Sequence, residues 1–125
     1  MNKDKLFSLL ADAIVRFDDS QGIPQTKESL KLLSTETAYF ELQKEGDDVF
    51  LSARNALIES GKVLEEDRDN GLLEGLVFSG IGNMNPAVLV ISVEKDIIYI
   101  SAYAKEGLIK QHTAEKAIKK YLKAI

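Results

Sequence analysis

The chain has 125 residues, 45% hydrophobic and 29% charged, with a net charge of −4 and no cysteine. That length supports one core, hence a single domain over 1–125, and the missing thiols exclude disulfides, thiolate metal sites and thiol redox chemistry. The apolar runs are too short to span a membrane, and an acidic surface repels phosphate backbones, so neither membrane nor nucleic acid is an expected partner.

Residues 3–17 are predicted helical, because Leu6, Leu9, Leu10, Ala13, Ile14 and Phe17 recur on one stripe of a 3.6-residue period. Ser8 and Asp12 interrupt that apolar series, so no signal-peptide core is read there and the expected compartment is the cytoplasm. Gly22 and Pro24 break the pattern, and Thr26 is placed to cap a short helix through Leu33. From Thr37 to Leu42 the pattern alternates, with Ala38, Phe40 and Leu42 on one face and Thr37, Tyr39 and Glu41 on the other, which suits a half-buried strand. Asp47 or Asp48 then caps a helix burying Val49, Phe50, Ala53, Ala56 and Leu57, with Gly61 as its C′ residue.

Strands are predicted over Lys62–Glu66 and Leu72–Ser79, joined by Asn70-Gly71 as a type I′ hairpin in which both residues take positive φ. Ala87–Val93 is nearly all apolar and reads as a central strand. Glu94-Lys95-Asp96 turns the chain into Ile97–Ala104, whose Ile98, Ile100, Ala102 and Ala104 oppose Ile97, Tyr99, Ser101 and Tyr103. After a loop over Lys105–His112, Thr113 is the expected cap of a last helix with Ala114, Ala117, Ile118, Tyr121, Leu122 and Ile125 on its stripe. The predicted fold class is α+β, an antiparallel meander sheet of four to five strands packed by N-terminal, central and C-terminal helices.

The motifs offer little chemistry. Gly80-Ile81-Gly82-Asn83 resembles a phosphate loop only in its glycines, because Pro86 and a strand follow where a helix N-terminus is required. Backbone donors at Gly80 and Gly82 and the amides of Asn83 and Asn85 still make this loop the place for a small ligand, if there is one. His112 is the only histidine, and its polar surroundings read as solvent rather than a catalytic site. Glu65 to Asp69 is a charged hairpin tip; Glu74 falls too early to close a calcium loop. Residues 1–70 hold fifteen Asp/Glu against nine Lys/Arg, whereas residues 71–125 hold seven Lys against five Asp/Glu. Lys116, Lys119, Lys120 and Lys123 concentrate that positive charge on the last helix, where it complements the helix dipole.

The aromatic residues are more suggestive. Ile97, Tyr99 and Tyr103 share a sheet face opposite the aliphatic row and, with Tyr39, are read as an interface unless a helix covers that face. No catalytic residue, metal site or cofactor is assigned. The expectation is a non-enzymatic binding or protein-interaction module, forming a homo-oligomer or meeting a protein partner through a sheet face or edge. The alternative is a small-ligand-binding protein or enzyme with a pocket between sheet and helices, using Tyr99, Tyr103, Glu74 or His112.

Overall fold

The computed structural model describes residues 1–17, 35–80, 82, 85–105 and 111–125. The expected short helix from Thr26 to Leu33 lies outside them. The elements are α1 (Lys3–Phe17), β1 (Thr35–Gln43), α2 (Val49–Ser60), β2 (Gly61–Asp67), β3 (Leu72–Ser79), β4 (Asn85–Glu94), β5 (Ile97–Lys105) and α3 (Thr113–Ala124). They form one α+β domain whose antiparallel sheet has five strands in the order β1-β5-β4-β3-β2. Strands β2 to β5 make the meander, and β1 adds beside β5. No helix among the described residues is long and apolar enough to cross a membrane.

Both faces of the sheet are covered. Because side chains alternate along a strand, Leu89 and Ile91 of β4 point to one face while Val88 and Val90 point to the other. Leu89, Ile91, Ile98, Ile100 and Ala102 pack against α2 and α3. Val88, Val90, Leu76 and Tyr103 pack against Leu6, Leu10 and Ile14 of α1. The near-continuous apolar run of β4 follows from this double coverage.

Helix α2 starts where expected. Asp48 accepts the Leu51 N–H at 3.0 Å, and Val49, Phe50, Ala53, Ala56 and Leu57 are buried. Its end differs from the prediction. Gly61 is not a left-handed C′ residue but opens β2 with an extended φ of −172°. Glycine is required there by space, since a Cβ would lie 1.9 Å from the Leu76 carbonyl oxygen.

Two further local predictions are corrected. Asp67 pairs with Leu72, so the β2–β3 turn has four residues, and of Asn70 and Gly71 only Gly71 takes positive φ, at 67°. The cause is Asp67, whose carboxylate accepts both the Asn70 N–H at 3.3 Å and its side-chain amide at 2.8 Å. Such local side-chain bonds compete with the two-residue turn. At α3, Thr113 is the first helical residue and is buried; His112 holds the N-cap position with φ 55° and no side-chain cap bond. An amide of the first helical turn is instead served by a distant strand, with Glu36 Oε1 accepting from the Glu115 N–H at 3.4 Å.

Candidate functional site

The tyrosine face divides into two parts. Helix α1 lies over one end of it and leaves Tyr103 only 4% exposed. Ile97, Tyr99 and Tyr39 remain half-buried. Tyr39 is held in place: its ring lies 6.3 Å from that of Phe7, the Lys3 ammonium sits 5.2 Å from its centroid, and its hydroxyl donates to Glu41 at 2.6 Å. Burial, and then the bond to Glu41, raises the Tyr39 hydroxyl pKa above the ordinary tyrosine value, so it stays a donor.

Gly80 and Gly82 adopt positive φ, at 79° and 66°. Strand β4 begins at Asn85, which pairs with Ser79, and the Asn85 amide donates to Gln111 at 2.9 Å. A Cβ at Gly80 would meet that amide nitrogen at 2.4 Å. Asn83 lies outside the described residues. The missing side chain of Gly80 thus makes room for the Asn85 amide, which ties the start of β4 to Gln111 ahead of α3.

A cavity of about 270 Å³ lies between α1 and the β2–β3 hairpin, with Leu9 and Leu72 as apolar lining and Asp12, Arg16, Glu65, Glu66, Asp67 and Glu74 as polar lining. Part of its charge is already matched. Arg16 pairs with Glu74, Arg54 reaches Glu66 at 2.5 Å, and Asn70 bonds Asp67. The lining holds five carboxylates and one guanidinium, an arrangement that attracts cations. Of Tyr99, Tyr103, Glu74 and His112, only Glu74 lines it. The basic face of α3 is also partly engaged, because Lys120 donates to the Phe78 carbonyl oxygen at 2.7 Å and Lys119 pairs with Glu115 at 3.3 Å.

The two edges of the sheet are built differently. Edge strand β2 carries a bulge between Val63 and Glu65 and the charges of Lys62, Glu65, Glu66 and Asp67. Bulges and charges are the usual protection against pairing with another chain. Edge strand β1 has nine residues in unbroken register with β5, from Thr35 against Lys105 to Gln43 against Ile97. It presents Phe40, whose exposure is 43%, beside the half-buried Ala38, Tyr39 and Leu42. Among the described residues no strand lies on its outer side. The sequence indicates a strand here, but its edge position follows only from the pairing of β1 with β5.

Comparison with family models, with curated proteins and with solved structures returns no match for this chain.

Proposed function

We propose that this protein is a non-enzymatic interaction module that associates with a second copy of itself through the edge of β1. The observation that supports this is the contrast between the sheet's two edges: β2 is bulged and charged, whereas β1 is long, regular and carries an exposed phenylalanine. Pairing by strand addition uses backbone hydrogen bonds for affinity and alternate side chains for specificity.

A two-fold axis through Phe40 gives a self-complementary antiparallel register. Phe40 meets the second copy's Phe40, Ala38 meets Leu42, Tyr39 meets Glu41, and Glu36 meets Lys44. No like charges oppose one another in this register, and aromatic and opposite-charge pairs are those that stabilise adjacent strands.

Sedimentation equilibrium at tens of micromolar tests the reading. A species of twice the 13.8 kDa chain mass is expected. Phe40→Lys should convert it to monomer while leaving the circular dichroism spectrum unchanged. A single 13.8 kDa species at every concentration overturns the proposal.

The cavity beneath α1 favours a second reading, binding of a small organic cation, since its lining holds five carboxylates against one guanidinium. Thermal-shift measurements with aliphatic diamines against neutral metabolites separate the two, because a ligand of the folded state raises the midpoint.

A further inference from the structure

We infer that Glu36, His112 and Glu115 form a site for a divalent transition-metal ion of the zinc type. The three residues come from two elements that the fold brings together: Glu36 from β1, and His112 and Glu115 from the start of α3. One ligand atom from each lies within 4.8 Å of the others. His112 Nδ1 faces Glu36 Oε1 at 3.7 Å, beyond hydrogen-bonding distance. Zinc–ligand bonds of about 2.0–2.2 Å in tetrahedral geometry place ligand atoms about 3.4 Å apart, so this pair is within a few tenths of an ångström of coordination spacing. Glu115 closes the remaining distance by a side-chain rotation, for which its exposed position leaves room.

The donor set fixes the class of ion. One imidazole nitrogen and two carboxylates suit Zn²⁺, Co²⁺ or Ni²⁺ better than Mg²⁺ or Ca²⁺, which prefer oxygen alone. Two carboxylates with a neutral imidazole also balance a divalent charge. Two features oppose binding. The N-terminus of α3 carries positive dipole charge, and Lys119 lies 3.3 Å from the Glu115 carboxylate. Both carboxylates are therefore needed to make the position attractive to a cation.

The arrangement also gives His112 a defined direction. Its side chain makes no cap bond to the helix, and it is 65% exposed, so solvent and ions reach it. Glu36 is more buried and oriented by the Glu115 N–H, so it is the fixed ligand toward which the other two move. An ion held here ties the start of β1 to the start of α3 and closes a long loop, so its binding adds to the stability of the fold. All three ligands belong to one chain, so no second copy is needed to complete the site, although Glu36 also takes part in the proposed pairing of β1 edges.

Titration calorimetry of the chelator-treated full chain with Zn²⁺ tests the inference. One ion per chain with micromolar affinity is expected, together with a higher thermal midpoint in Zn²⁺ and none of this effect with Mg²⁺. His112→Ala, Glu36→Gln and Glu115→Gln should each weaken binding on the order of tenfold or more, since each removes one of three ligands. Nitrogen-15 spectra of the imidazole should place the ion on Nδ1. Absence of saturable binding overturns the inference, as does a His112→Ala variant, folded by circular dichroism, that binds Zn²⁺ as tightly as the parent.

Discussion

The hydroxyl of Tyr121 donates a 2.9 Å hydrogen bond to the carbonyl oxygen of Ala53, joining α3 to α2 inside the core. Tyr121 is fully buried among the apolar residues of that sheet face. Burial raises its pKa above the ordinary tyrosine value, because ionisation there would put an unsolvated charge in the core, so the group remains a donor. Tyr121→Phe keeps the ring and removes only this bond. The expected loss is about 1 kcal/mol in urea denaturation, with an unchanged slope against denaturant.

Gly61→Ala should cost more than a helix-end glycine usually does. The added Cβ would fall 1.9 Å from the Leu76 carbonyl oxygen, which is backbone and has little freedom to move. Either β2 shifts away from β3 or the end of α2 unwinds. A loss of about 1–3 kcal/mol is expected by the same unfolding measurement, in the range of overpacked sites. Since φ is extended there, a loss below a few tenths of a kcal/mol would show that β2 moves aside freely.

These two positions show what the sequence discloses. Periodicity places α1, α2 and β3 almost to the residue, because each buries a face whose spacing is written into the chain. Gly61 is marked as special by its sequence, but whether for φ or for space depends on where β3 passes. The same limit hides Glu36. It is 76 positions from His112, and only the pairing of β1 with β5 and the placement of α3 bring the two together. His112 and Glu115, three residues apart at a helix start, are the local half of that site. Tyr103 is a different case. Its alternation puts it correctly opposite Ile98 and Ile100, but which helix covers that face depends on the path of α1.

Asp48 predicts a pH dependence. Its pKa is lowered from 3.8, first by the Leu51 N–H it accepts and then by Arg68, whose guanidinium also lies 5.2 Å from the Phe50 ring. A carboxylate with a depressed folded-state pKa contributes stability above its unfolded value and loses it as pH falls through the folded value. Asp48→Asn keeps a capping oxygen but has no charge to protonate. Unfolding midpoints of the variant should therefore fall less steeply than those of the parent between about pH 5 and pH 2. Equal slopes would mean that Arg68 and the α2 terminus do not favour the ionised form.

The proposed register of β1 makes a prediction that Phe40 alone cannot test. With the axis at Phe40, Glu36 of each copy lies opposite Lys44 of the other, so a dimer contains two such pairs. Pairs at the rim of such an edge are worth about 0.5 kcal/mol each, and reversing one charge replaces attraction by repulsion of similar size. Glu36→Lys or Lys44→Glu alone should raise the dimer dissociation constant by about thirtyfold, and the two together should restore it. Glu36 is also a proposed metal ligand, so the measurements belong in chelator. The effect should shrink as salt is raised, since exposed charges are screened. If both single variants dimerise like the parent while Phe40→Lys does not, the edge contact stands but this register does not.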